Sequence, residues 1–473
     1  MNKRNLRFVF IIPFLAFSLP SRPAIRLPSI IGSHMVLQQE SEVNIWGWAR
    51  PGEKVALNAG WDTTTYFSVG SGGAKWNIKI RTPHAGGPWE ITITGDNKIV
   101  LEDVMVGEVW LCGGQSNMEW SGRHGLKQVM EEAPNASNKN IRLFYVSKAT
   151  SPFPQDDCHG RWEVCSPESM MGFSAIGYFF GKQLQSELDI PVGLINDNWG
   201  GTPAETWTPR ELVMEDEVLS AAAKKLDPNA RNWPTQPGDA YNAMIHPIVP
   251  FMIAGVIWYQ GESNVGTWDS YGSLFTTMID SWRKAWSKAF PFYYVQIAPY
   301  SGYGQNISGV LLRDVQTKCS SHPGTGMVVI SDLVDDLKNI HPQNKIDVAK
   351  RLANLALSET YHKLGLVYKF PAYKSMKIEK NRIRLFFEQA GSGLVSRNGD
   401  PTEFYIAGED RVFLPAAAKI DGNMVVVMNK NIKNPVAVRF GFSNASIPNL
   451  FSREGLPVNL FRTDDWPMNT EAP

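Results

Sequence analysis

The stretch EVWLCGGQSNMEW, residues 108–120, offers a serine to nucleophilic chemistry. An apolar strand runs into Gly113 and Gly114, which permit a tight turn and close approach of a substrate. The chain then presents Gln115, Ser116 and Asn117. A serine at that point sits at the mouth of a site with its backbone N–H free to donate, although serines there often do no more than cap the next helix. A hydroxyl is a poor nucleophile until a base takes its proton. Of the eight histidines, only His341 follows both a strand-like run and an acidic cluster, in MVVISDLVDDLKNIHPQNK. Asp332, Asp335 and Asp336 lie close enough in sequence to orient its imidazole and stabilise the imidazolium. Alone, such a histidine reads as a solvated loop residue; paired with Ser116 it reads as a general base.

Two further stretches end in polar loops. AGVIWYQGESN, residues 254–264, carries Gln260, Glu262 and Asn264 after a buried run, and NDNWGGTPAETW carries Gly200 and Gly201. Amide side chains and glycine N–H groups are donors suited to a developing oxyanion. An adjacent glycine pair alone usually marks only a turn. The information lies in four such loops following four strand-like runs.

The elements that must position these loops are legible from periodicity. Between 108 and 366, apolar runs (EVWLC, IRLFYV, VGLIND, AGVIWYQ, FYYVQI, MVVIS) alternate with helical patterns. Ile176, Phe179, Phe180, Leu184 and Leu188 share one helical face within 174–189, and a second helix is expected after His341. Such alternation predicts a parallel sheet covered on both faces, with ligands at the carboxyl ends of its strands. Residues 24–107 (VNIWGWA, KVALNAGW, KWNIKIR, WEITITG) alternate apolar and polar residues as a β-sandwich does. Residues 367–473 return to β texture, with a hairpin turning near Lys380 and Asn381.

Composition narrows the class. The 473 residues are 43% hydrophobic and 19% charged, with 46 basic against 46 acidic side chains, which speaks against a nucleic-acid binder and against disorder. Lys3, Arg4 and Arg7 precede a short apolar stretch, so residues 1–23 read as an export signal and the protein as periplasmic or secreted. In an oxidising compartment Cys158 and Cys165 can close a short loop, whereas Cys112 reads as a small buried hydrophobe. Trp120, Trp199 and Trp207 lie nearest the polar loops and are the candidates for sugar stacking. Arg123 is a candidate for a substrate carboxylate.

GGQSNMEW, NWGGTPAETW, YNAMIHPIVPFMIAGVIWYQGESN and NIHPQNK, in this order, resemble the sialate O-acetylesterase family of SGNH-type serine esterases. The resemblance implies an α/β, flavodoxin-like hydrolase domain with a parallel sheet, flanked by β-sandwich segments, and neither metal nor organic cofactor. It implies Ser116 as nucleophile and His341 as base. The N–H groups of Ser116 and of Gly201 or Gly200 would form the oxyanion hole, completed by an amide from Gln260 or Asn264. Gln115, Asn117 and Glu262 would be supporting residues. One departure concerns the acid: Lys338 stands three residues before the histidine, where such hydrolases carry aspartate, and Asn339 stands two before it. Asp335, Asp336, Glu262 or a backbone carbonyl (in a Ser–His dyad) remains as the orienting group. The expected partner is an O-acetylated sugar, with no nucleic acid and no membrane beyond the export signal. Acetylated xylan or another plant polysaccharide is the alternative to a sialic acid. A non-catalytic carbohydrate-binding protein on this scaffold is the alternative to an enzyme.

Overall fold

The computed structural model describes residues 25–228, 230, 232–304 and 306–468. The expected export signal, residues 1–23, lies outside them. The N-terminal region contributes β1 (Val36–Gln38), β2 (Glu42–Trp48), β3 (Lys54–Ala59), β4 (Thr65–Val69), β5 (Lys75–Arg81) and β6 (Gly86–Thr94). Of these, β2, β3, β5 and β6 are the alternating segments read from the sequence. The strand β7 (Lys98–Gly114) then crosses the expected boundary at 107/108 without a break. Its first half pairs with β6 and β1, and its second half enters the central sheet. From Val104 onward every residue of β7 is buried, because this half is covered on both faces.

The central sheet adds β8 (Asn138–Tyr145), β9 (Trp162–Cys165), β10 (Val192–Asn198), β11 (Gly255–Tyr259), β12 (Phe292–Val295) and β13 (Thr325–Val328). Its order is β13-β12-β11-β7-β10-β8-β9, parallel throughout except for β9. A flavodoxin-like order would put the first core strand between the second and third. Here β7 lies between the third and fourth, β10 and β11. The outer edge of β8 is taken by antiparallel β9, so the returning β10 occupies the inner edge against β7. The chain builds first on one side of β7 and then on the other, which opens a crevice above the carboxyl ends of β10, β7 and β11.

Helices Ala175–Leu188 and Lys345–Glu359 pack together over one face, and Trp268–Trp286 and Ser308–Cys319 over the other. Both expected helices are present. Ser174 caps the first by accepting from Gly177 N, and Asn344 caps the last by accepting from Asp347 N.

The N-terminal strands share one continuous apolar core with the sheet and its helices. Residues 372–462 instead build a core of their own around Ile383, Leu385, Phe404, Val425 and Phe440. The hairpin turns at Lys380–Asn381 as expected, with Glu379 opposite Arg382. The Cys158–Cys165 pairing is not formed. All four thiols are free and buried, and Cys165 Sγ instead donates to Ala136 O at 2.9 Å.

Candidate active site

The serine is delivered by a glycine turn that no other residue fits. Gly114 has φ +136°, and a Cβ there would lie 2.2 Å from Tyr259 O. The turn is tied to both neighbouring strands: Gln115 N donates to Tyr259 O at 2.9 Å, and Trp199 N donates to Gly114 O at 3.0 Å. Gln115 Oε1 accepts from Gly261 N and Ser263 N at 3.2 and 3.3 Å, which fixes the loop after β11. Ser116 therefore opens the short helix Ser116–Glu119 at the switch point of the sheet.

His341 arrives from the far edge, on the loop after β13, and its Nε2 lies 2.9 Å from Ser116 Oγ. Residues 225 positions apart, read together from their types, are thus brought within hydrogen-bond distance. Burial is the main cause that pushes the His341 imidazole down to about 4, with Lys345 and His124 adding to it. The ring is neutral at neutral pH and able to accept a proton.

The chain that carries this pair is similar to known proteins. A model of the family "Carbohydrate esterase, sialic acid-specific acetylesterase" matches residues 106–358. This chain belongs to that family. It is similar to the sialate O-acetylesterase of Mus musculus, 28% identical over 92% of this chain and 93% of the relative. It is also similar to that of Homo sapiens, 30% identical over 75% and 74%. A solved structure, a carbohydrate acetylesterase from Xanthomonas citri, is 35% identical and covers 93% of this chain and all of its own, with a TM-score of 0.85.

Several residues assigned from the sequence of this family member take other places in the structure. Neither Asp335 nor Asp336 hydrogen-bonds His341. Asp336 Oδ1 accepts from Lys338 N at 2.8 Å, closing a turn of its own loop. Asp332 is held by Arg351 in a two-pronged pair, 2.7 Å on each side. Asn339 Oδ1, two residues before the histidine, accepts from the backbone N of His341 at 2.9 Å. Among the described residues Nδ1 of His341 has no hydrogen-bond partner. The imidazole is instead stacked on Trp120, 4.4 Å between centroids at 21°, and Trp120 stacks on His124. The ring thus packs on an aromatic face, with no carboxylate among its hydrogen-bond partners in the described residues. Trp120 is thereby a support for His341 rather than a free sugar platform.

The amides of Gln260 and Asn264 do not face the crevice. Both are fully buried. Gln260 Nε2 donates to Asn264 Oδ1 at 2.7 Å, and Asn264 Nδ2 donates to Glu205 Oε2 at 2.8 Å. Asn264 Oδ1 also accepts from Ala204 N, so these amides pin the loop after β10 from below. Trp207, fully buried, donates to Thr202 Oγ1 in the same layer and meets no substrate. Gly200 N is taken by the Glu119 carboxylate, whose other oxygen binds Lys148. Among the described residues, the N–H groups of Ser116 and Gly201 have no acceptor. Gly201 is held at φ +83° beneath Trp233, whose ring fills the space a Cβ would need. Trp199 lies beside it with Lys148 over its ring. Arg123 is exposed and covers Gly172.

Sequence reasoning missed Lys345. It is buried, and its Nζ donates to Asn117 Oδ1 at 2.7 Å. Asn117 Nδ2 in turn donates to Glu262 Oε1 at 2.6 Å and to Ile340 O at 3.0 Å. One amide next to the nucleophile thus holds the residue next to the base. Burial pushes the Lys345 ammonium down to about 7, with Glu262 and Asp335 opposing the shift, and burial raises the Glu262 carboxyl. Lys345 closes the NIHPQNK stretch, but at the start of a helix a lysine is ordinarily a solvated residue. Cys112 is buried, and desolvation alone raises its thiol, so it is no nucleophile.

Proposed function

We propose that this chain is an exported SGNH-type carbohydrate O-acetylesterase that hydrolyses the acetyl esters of O-acetylated sialic acids through a Ser–His dyad. The observation that carries the reading is the 2.9 Å contact between Ser116 Oγ and His341 Nε2. Ser116 Oγ attacks the acetyl carbonyl carbon while His341 Nε2 accepts the hydroxyl proton. The carbonyl oxygen becomes an oxyanion facing the N–H groups of Ser116 and Gly201. As the intermediate collapses, the C–O bond to the sugar breaks and His341 returns the proton to the leaving sugar oxygen. Water, activated by the same imidazole, then cleaves the acetyl-enzyme and releases acetate. The basic and apolar N-terminal segment supports export to the periplasm or beyond.

A second substrate reading, an acetylated plant polysaccharide, has one observation in its favour. Lys148, the cation beside Gly200 and Trp199, is already paired with Glu119. The test is acetate release by wild type and Ser116→Ala, on O-acetylated sialic acid and acetylated xylan in parallel. Turnover of the sialic acid alone, abolished by the substitution, is the expected result. Preference for xylan moves the substrate, and an active Ser116→Ala overturns the mechanism.

A further inference from the structure

A second cleft lies away from Ser116, and its lining departs from what a sandwich strand should expose. In β2 the burial alternates, with Val43 and Ile45 facing the core and Asn44, Trp46 and Trp48 facing outward. The outward positions of an antiparallel ribbon are ordinarily polar. Here they carry two half-buried tryptophans, two residues apart on one face, which puts them about 7 Å from each other along the strand. β5 pairs antiparallel with β2 and sets Asn77 opposite Trp46 and Lys75 opposite Trp48. The far wall comes from the hydrolase domain, with Gln155, Asp156 and His246–Pro250, and the cleft between the walls measures ≈ 440 Å³.

The polar groups between the rings decide what fits. Asn44 Nδ2 donates to Pro250 O at 3.1 Å, and Asn77 Nδ2 reaches Asn44 Oδ1 at 3.3 Å. Exposed Asn77 keeps further amide capacity toward the cleft, while Gln155 spends its Nε2 on Ser151 Oγ and Phe153 O and keeps its carbonyl oxygen. The charges of the cleft neutralise each other, Lys75 Nζ lying 2.6 Å from Asp156 Oδ1. An apolar ligand would leave these amides unpaired under it. An acidic one would have to break the Lys75–Asp156 pair. A pyranose ring has an apolar C–H face for the Trp46 indole and a rim of hydroxyls for amides, while the neighbouring Trp48 ring carries the Arg26 guanidinium over it at 5.2 Å.

We propose that the cleft between β2–β5 and the hydrolase domain is a binding site for a neutral oligosaccharide segment. It would hold the neutral portion of a glycan whose O-acetylated sialic acid is presented to Ser116. The biological sense of this site rests on the carbohydrate-esterase reading; its existence does not. The test uses the full chain carrying Ser116→Ala, so that no probe is consumed, titrated with deacetylated xylan oligosaccharides and with oligomers of unacetylated sialic acid. Binding of the neutral oligosaccharides is expected, weakened at least tenfold by Trp46→Ala. On the otherwise wild-type chain, Trp46→Ala is expected to leave hydrolysis of p-nitrophenyl acetate unchanged. If Trp46→Ala fails to fold, Asn77→Arg, at an exposed position, blocks the same cleft. Absence of neutral binding, binding of the acidic oligomer alone, or binding indifferent to both substitutions overturns the proposal. Intact binding in a chain with no esterase activity would instead sink the catalytic reading and leave this site standing.

Discussion

The two halves of the proposed catalytic pair are held by different means. Ser116 sits where three strand ends converge, and its turn is locked by backbone bonds to Tyr259 and Trp199. His341 sits on an irregular loop after the last strand of the central sheet, where two backbone bonds (Asn339 N to Asp336 O and Ser301 N to Leu337 O) are joined by side chains: Trp120 under its ring, Asn117 on Ile340 O, and Arg351 on Asp332. Backbone bonds of a central sheet fail only when the sheet does, whereas a loop held by side chains fails when one of them is changed. The serine half should therefore tolerate substitutions around it that disable the histidine half.

The largest effect should come from the reacting atoms. Ser116→Ala and His341→Ala are each expected to lower kcat by about 10⁴-fold or more, with little change in Tm, as acetate release and thermal melting would register. Next is Asn117→Leu, which strips the bridge to the histidine loop and leaves Lys345 and Glu262 buried without it. A loss of about 2–3 kcal/mol of stability is expected, together with about 10²-fold in kcat from a displaced His341. Unaltered kcat in a folded Asn117→Leu protein would show that stacking on Trp120 positions the base by itself.

Acid tests the histidine half more gently. Its imidazole titrates near 4 in the folded chain against an ordinary 6.5, so kcat/KM should stay level down to about pH 5 and fall below that. Between those two values the unfolded chain binds more protons, so stability also declines as the pH is lowered through this window. Removing the cation with Lys345→Met should move the acid limb of the kcat/KM profile upward, since Lys345 is one cause of the depression. An unmoved limb would leave burial and His124 as the causes. The smallest effect should be that of Asp335→Ala combined with Asp336→Ala, within about twofold of wild type, because neither carboxylate holds the imidazole. A loss near the ~10⁴-fold measured for triad aspartates would restore a triad.

Much of this was legible beforehand. The strand–helix alternation announced the parallel sheet, and the glycines before Ser116 announced the turn. His341 was singled out by where its loop falls in the strand order. Less legible was the destination of each polar side chain. Gln260 and Asn264 have the chemistry of oxyanion donors, yet they lie under the loop after β10, where Glu205, Thr202 and Ala204 use up their hydrogen bonds. Glu119 has no marker distinguishing it from a solvated helix acid, yet it occupies Gly200 N. The sheet order, with β10 inserted beside β7, follows from β9 occupying the edge of β8, a pairing that strand periodicity does not encode.

By itself the sequence determined which groups can react and which elements exist, because hydroxyl, imidazole, glycine freedom and hydrophobic period are properties of residues and their near neighbours. Only the tertiary structure decided who orients the base and which donors remain free for the oxyanion. Those depend on groups up to hundreds of residues apart competing for the same few hydrogen bonds in a buried space, and the winner is set by packing.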